Sequence, residues 1–182
     1  MEQNKITLAV GTVADREVIH NICIRSYSSY RSILAPEDWD KMKHNIEDTV
    51  AFEKLCDIAV SFICSVEGRV AGVVFLVPKG NATPHFSGDW SYIRMLGVLE
   101  EYRGVGIGRL LMKRCIDYAR DLGEDTLALH TAGFQNAWPL YEQLGFQKVK
   151  DIGIIYGHTY WLYQLHLVKD EEIHADLKLH KM

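Results

Sequence analysis

No apolar run in this 182-residue chain approaches the ~20 residues needed to span a bilayer, so no membrane anchor or membrane partner is expected. The opening Met1-Glu2-Gln3-Asn4-Lys5 lacks the apolar stretch of a secretory signal. Cysteine is scarce. Cys23, Cys56, Cys64 and Cys115 are scattered, each among apolar neighbours, with no disulfide framework and no zinc spacing. They read as small buried hydrophobes in a reducing compartment. Positive charge is not in excess: 20 Lys and Arg against 24 Asp and Glu leave −4, too acidic for a broad nucleic-acid footprint. The eight histidines show no metal-ligand spacing, so no metal is expected. From these absences a cytoplasmic protein is expected, with no secretory, membrane or broad nucleic-acid-binding role.

What is present is ordinary for a globular domain. Apolar residues make up 48% and charged residues 24%, and the length is enough to bury a real core. One domain is expected over residues 1–182, with its core at about 6–168 and a charged tail, mobile or briefly helical, over 169–182. Residues 6–10 alternate as a strand. A helix follows from a cap at Thr12 or Asp15 to about Arg31, with Val18, Ile22, Arg25 and Ser29 along one face and Ile19 and Cys23 beside them. Pro36-Glu37-Asp38-Trp39 opens a second helix, which residues 47–55 extend or follow. Residues 58–66 and 70–77 form a hairpin around Glu67-Gly68-Arg69, and 78–89 form a loop. A buried strand over 92–99 leads through a glycine-rich turn into a helix stopped by Gly123. Residues 126–130 form another buried strand, and Asn136-Ala137-Trp138-Pro139 begins a short helix ending near Gly145. The chain closes with a hairpin of 146–156 and 159–168 around Gly157-His158, in which Trp161, Tyr163, Leu165 and Leu167 share a face. The order β-α-α-β-β-β-α-β-α-β-β describes a mixed α/β layer structure. It is not the regular alternation of a doubly wound sheet.

The stretch Arg103-Gly104-Val105-Gly106-Ile107-Gly108-Arg109 lies between a strand and a helix. Alternating glycines at a helix start present backbone N–H groups at a positive dipole end, which is a phosphate-binding arrangement. A dinucleotide fingerprint needs a small residue where Arg109 sits, and no Gly-Lys-Ser/Thr follows to make a P-loop. The alternative is a turn that only connects strand to helix.

Arg-x-x-Gly-x-Gly after the Glu100-Glu101-Tyr102 turn resembles the acetyl-CoA loop of the GNAT acetyltransferases. Ala137-Trp138-Pro139-Leu140-Tyr141-Glu142-Gln143-Leu144-Gly145-Phe146 is similar to the family segment Ala-x-x-Leu-Tyr-x-x-x-Gly-Phe, at the right separation from the loop. The element order is also that of the family, and the resemblance covers about residues 58–168. It implies the GNAT acyl-CoA N-acyltransferase fold, an α/β (α+β) architecture with a mixed central β-sheet flanked by helices. It implies an N-acetyltransferase using acetyl-CoA as co-substrate, with a small-molecule or peptide amine as acceptor, and leaves a homodimer open.

By the same resemblance the cofactor lies in a gap between two splayed strands. It is contacted by the backbone of Leu96, Gly97 and Val98, by Arg103, Gly104, Val105, Gly106, Ile107, Gly108 and Arg109, and by Asn136. Tyr141 protonates the departing CoA thiolate, which a phenol can do. Each role has a rival. Gly97 either relaxes the backbone for the thioester or accommodates a close packing contact. Asn136 fits a helix N-cap before it fits the cofactor. Tyr141 also fits a packed helix position. The family often places an Asn seven residues before the Tyr, where this chain has Phe134.

The strand before the loop holds no carboxylate to take the amine's proton, which leaves Asp89, His130 or a water chain. The resemblance also implies an acceptor site built from the first two helices and the last hairpin. Tyr27, Tyr30, Trp39, His158, Tyr160 and Trp161 would there form an apolar wall or an ammonium cage, or serve as core. A non-catalytic acyl-CoA-binding module on the same fold is the other reading. An oxidoreductase or kinase lacks the required glycine spacing.

Overall fold

The computed structural model describes residues 5–167, so the charged tail expected over 169–182 lies outside the described residues. Seven strands form one sheet in the order β1-β2-β3-β4-β5-β7-β6. They are β1 (Ile6–Val10), β2 (Val60–Val66), β3 (Arg69–Val77), β4 (Ser91–Val98), β5 (Thr126–Ala132), β6 (Gln147–Ile155) and β7 (His158–His166). All neighbours pair antiparallel except β4 and β5. The helices are α1 (Arg16–Tyr27), α2 (Pro36–Glu47), α3 (Thr49–Ile58), α4 (Ile107–Asp121) and α5 (Trp138–Gln143). The expected mixed sheet flanked by helices is what forms.

β3 reads Val-Ala-Gly-Val-Val-Phe-Leu-Val after its first residue, with no polar side chain. That suits a strand covered on both faces. Val73 and Phe75 join Ile19, Ile22 and Phe52 on one side, while Val74 and Leu76 join Leu111, Met112 and Cys115 of α4 on the other. The alternation of a strand thus divides α1 and α3 from α4. β6, at the edge, carries Lys148, Lys150 and Asp151 and is almost wholly exposed, which discourages further strand pairing.

Several boundaries differ from expectation. α1 stops at Tyr27 and continues as a 3-10 turn over Ser28–Ser32. There Ser28 Oγ donates to Arg25 O (2.7 Å) and Ser32 Oγ to Ser29 O (3.1 Å), local bonds that compete with the α-helical ladder. The buried face of α1 is Ile19, Ile22, Cys23 and Ser26, while Val18 is exposed. Residues 47–55 do not extend α2. Asp48 accepts from Val50 N and Ala51 N (2.9 and 3.1 Å) and caps a separate α3. The last turn is Tyr156-Gly157, both at positive φ (51° and 73°), because Ile155 pairs with His158. Two such residues match the right-handed strand twist. β5 runs two residues past His130 to Ala132.

Candidate active site

β4 and β5 pair only at Ser91↔Leu127 and Tyr92↔Ala128, and then part. Just beyond, β4 carries one extra residue: Phe75 pairs with Arg94 and Val73 with Gly97. The bulge is made by Met95, at φ 54°, and not by Gly97. A β-branched or bulky residue is rarely held there. Gly97 has a different reason for being glycine: a Cβ on it would meet Ser26 Oγ at 2.3 Å, so it accommodates α1.

Two hollows open from the gap. One, of about 580 Å³, is lined by Leu96, Val98, Ile107, Gly108, Asn136 and Leu140 among others. The second, of about 200 Å³, holds Arg94, His130, Tyr141, Tyr156 and Tyr160. They share Tyr27, Tyr30, Leu96 and Ala137 and therefore adjoin.

The glycine loop borders the first groove. Gly104 and Gly106 have φ of 80° and 91°, and a Cβ at either would meet nothing within 4 Å. Conformation, with open space alongside, is what asks for glycine here. Gly106 is the N-cap of α4, and its carbonyl accepts from Leu110 N (3.0 Å). The amides of Ile107, Gly108 and Arg109 have no acceptor within the helix, which suits an anionic group. Gly108 differs: its Cβ would lie 3.5 Å from Leu140 Cδ2, an ordinary contact with α5.

Arg103 and Arg109 line this groove but are also tethered. Arg103 Nε donates to Val98 O (3.1 Å) and its Nη2 to Ser26 O (2.8 Å), tying the loop to β4 and α1. Arg109 donates to Gln143 Oε1, tying α4 to α5. Val105 is exposed and, like Gly97, is not part of the groove lining. Asn136 is not the N-cap expected of it. Ala137 holds that position without a side-chain cap bond, and Asn136 lines the groove. The turn before α5 is held instead by Gln135 Oε1, which accepts from Thr131 Oγ1 and Ala132 N (both 3.1 Å).

Tyr141 projects from α5 to the second hollow and is 7% exposed, its ring 6.1 Å from Phe146. Burial, reinforced by Tyr30, raises its pKa, so the phenol keeps its proton at neutral pH. Of the bases considered, Asp89 is exposed on its loop and outside both hollows. His130 lines the second hollow, with Phe86 stacked at 5.4 Å and Tyr160 at 5.7 Å. Burial, with the charges of Arg94 and His85, lowers its pKa to about 4, leaving a neutral imidazole at pH 7. Its Nδ1 is buried with no partner among the described residues.

Of the aromatic residues expected around an acceptor, Tyr27, Tyr30 and Tyr160 line the second hollow. Phe134 stands between Tyr30 (5.2 Å) and His158 (4.7 Å). Trp39 lies in a separate cleft with Ile24 and Lys43, and Trp161 packs with the α4-side core beneath Lys148 (3.9 Å). Sequence reasoning missed Arg94, Asn45 and Tyr156. Only the Tyr-Gly turn dipeptide offered a signal for any of them. No group of three or more His, Cys, Asp or Glu side chains able to hold a metal is found among the described residues, and no helix among them is long and apolar enough to cross a membrane.

Comparison with known proteins agrees with this geometry. The model of the acetyltransferase (GNAT) family matches residues 21–146. The Xenopus tropicalis protein named "Probable N-acetyltransferase camello" is 31% identical over 106 residues, which cover 56% of this chain and 46% of that protein. N-acetyltransferase 8B of Rattus norvegicus is 27% identical over 149 residues, 79% of this chain and 66% of that one. The chain spans about half the length of the curated relatives it matches. A Salmonella typhimurium protein solved with its cofactor acetyl-CoA superposes with a TM-score of 0.68 at 20% identity, covering 91% of this chain and 95% of the other. At that identity the likeness shows a shared fold.

Proposed function

The chain belongs to the GNAT acetyltransferase family, and from that premise we propose that it moves an acetyl group from acetyl-CoA to a primary amine of a small molecule or peptide. The observation that carries this is the parting of β4 and β5 after two residue pairs, directly beside the Gly104–Gly108 loop. Strands that part leave backbone groups needing partners, and an amide-bearing arm supplies them. The amides at the start of α4 suit its pyrophosphate. The fit is supported by the open space around Gly104 and Gly106. Acetyl-CoA, when bound, supplies the activated acyl group.

The chain's own residues then have distinct tasks. The acceptor enters the hollow lined by Tyr27, Tyr30 and Tyr160 and attacks as a neutral amine. His130, neutral at pH 7, accepts a hydrogen bond from the amine or from an intervening water and orients the attack. With its pKa near 4 it passes the proton to solvent and does not store it. Tyr141 donates a hydrogen bond to the sulfur as negative charge develops there; the proton the thiolate takes is replaced on Tyr141 from solvent, which has received the amine's proton. Transfer is direct, in a ternary complex. No cysteine lines either hollow, and burial pushes the Cys23 thiol up to about 12 and the Cys115 thiol higher still.

The test is thiol release from acetyl-CoA across a panel of amines, with calorimetry of acetyl-CoA binding. Turnover with intersecting initial-rate patterns supports the reading. Binding without turnover of any amine replaces it with a non-catalytic acyl-CoA-binding module. Ping-pong patterns overturn direct transfer.

A further inference from the structure

The hollow beside Tyr141 has an unusual charge content. Among the described residues that line it, Arg94 alone carries a fixed charge, and none is Asp or Glu. Arg94 is partly buried, and its guanidinium has neither a carboxylate partner nor a hydrogen bond among the described residues. The nearest acid by shared lining is Asp38, in an outer depression that also contains Asn45 and Tyr156, and it already faces Lys41 Nζ at 3.6 Å.

Arg94 also stands where an acceptor must pass. Tyr92 and Ala128 are the last paired residues of β4 and β5, and Arg94 and His130 each lie two positions farther along. Period-two alternation puts both on the face of Tyr92 and Ala128, and the strands are separated there. Tyr160 comes to the same wall from β7, opposite Ala132. At the rim, Asn45 Nδ2 donates to the Tyr156 hydroxyl oxygen (2.8 Å), which leaves the Tyr156 O–H as a second donor.

Resting on the acetyltransferase reading, we propose that the acceptor is an amine that also carries a carboxylate, an amino acid or a close analogue, with Arg94 holding the carboxylate and the tyrosine rings flanking the rest. A guanidinium matches a carboxylate with two parallel N–H···O bonds. A polyamine or a lysine-rich peptide needs acidic groups for its further cations. This hollow instead sets a fixed positive charge against them, at short range and in a partly buried site where repulsion is poorly screened. The ring faces suit an arriving ammonium and an apolar side chain. Arg94 is then a specificity-determining residue of the same site.

The experiment compares matched pairs that differ by one carboxylate: phenethylamine and phenylalanine, tyramine and tyrosine, tryptamine and tryptophan, histamine and histidine. Spermidine and a lysine peptide complete the panel. kcat/KM is read from thiol release with saturating acetyl-CoA. The expected result is a preference of about tenfold or more for the acid in the pairs that turn over, the scale of a charge-assisted hydrogen bond. Arg94→Met is expected to bring the two members of a pair within about threefold, Arg94→Lys to keep part of the preference, and both to bind acetyl-CoA as wild type does. Equal or better use of the decarboxylated amines or of spermidine by wild type overturns this inference alone, whatever the variants do. An undiminished preference in Arg94→Met overturns the role of Arg94. Failure to acetylate any amine while acetyl-CoA binds overturns the enzymatic reading and this inference with it.

Discussion

Gly97 of β4 and Ser26 of α1 touch so closely that a methyl group on the glycine would lie 2.3 Å from Ser26 Oγ and 3.1 Å from Ser26 Cβ. Ser26 is held from two further sides. Its hydroxyl donates to Cys23 O (3.1 Å), and its carbonyl accepts from Arg103 Nη2 (2.8 Å). The contact therefore sets α1, whose last residue Tyr27 lines both hollows, against the strand that borders them.

Gly97→Ala should destabilise the protein by about 1–3 kcal/mol, the usual range for overpacking a filled site. Ser26→Ala in the same background removes the shorter contact and leaves the longer, so it should restore part of the loss. Urea unfolding of the four proteins in the cycle measures both terms. A Gly97→Ala variant as stable as wild type would show that the helix shifts freely.

Gly106→Val and Gly80→Val form a matched pair. Both glycines have strongly positive φ (91° and 98°) and open space around the missing Cβ, so both substitutions should cost stability by about 1–3 kcal/mol. Only Gly106 lines the candidate cofactor groove. Calorimetry should show acetyl-CoA binding weakened at least tenfold in Gly106→Val and unchanged in Gly80→Val. Equal affinity in the two variants would remove the glycine loop from the binding site.

Tyr141→Phe keeps the packing against Phe146 and deletes the hydroxyl. Turnover should fall by roughly 10²–10³, the loss typical of one transition-state hydrogen bond, while acetyl-CoA affinity stays the same. Unchanged turnover, with the chemical step shown to be rate-limiting, would leave solvent as the proton donor.

His130 supplies a pH-dependent stability term. Burial first, then the charges of Arg94 and His85, lower its pKa from 6.5 to about 4. Between those values the unfolded chain binds the proton and the folded one does not, so stability falls as pH drops from 6.5 to 4 and this term is flat below. Its full size is about 3 kcal/mol at most. His130→Gln cannot be protonated, so its stability should fall less steeply than that of wild type over this window. Parallel profiles from denaturant titrations at each pH would contradict the assigned environment.

Local chemistry was enough for much of this molecule. Strand alternation in residues 6–10, the apolar run of β3, proline at the start of α2 and glycine after α4 act through near neighbours, so the element order could be read directly. The glycine loop was legible for the same reason: its requirement for positive φ at Gly104 and Gly106 belongs to the backbone itself. Other features depend on residues far apart in the chain. Gly97 is glycine because Ser26, 71 positions earlier by residue number, occupies the space of its side chain. Nothing in the sequence around Met95 marks it as the bulge, since its positive φ is imposed by pairing with β3. Asn136 had the chemistry of a cap, but the Gln135 side chain holds that turn. Asp89 and His130 looked equivalent as bases until the sheet left one exposed and surrounded the other with rings. Nothing in the strand sequence around Arg94 marks it as a site residue. Its meaning comes from a cavity with no acidic residue in its described lining, and such an environment exists only once β4, β5 and β7 are brought together.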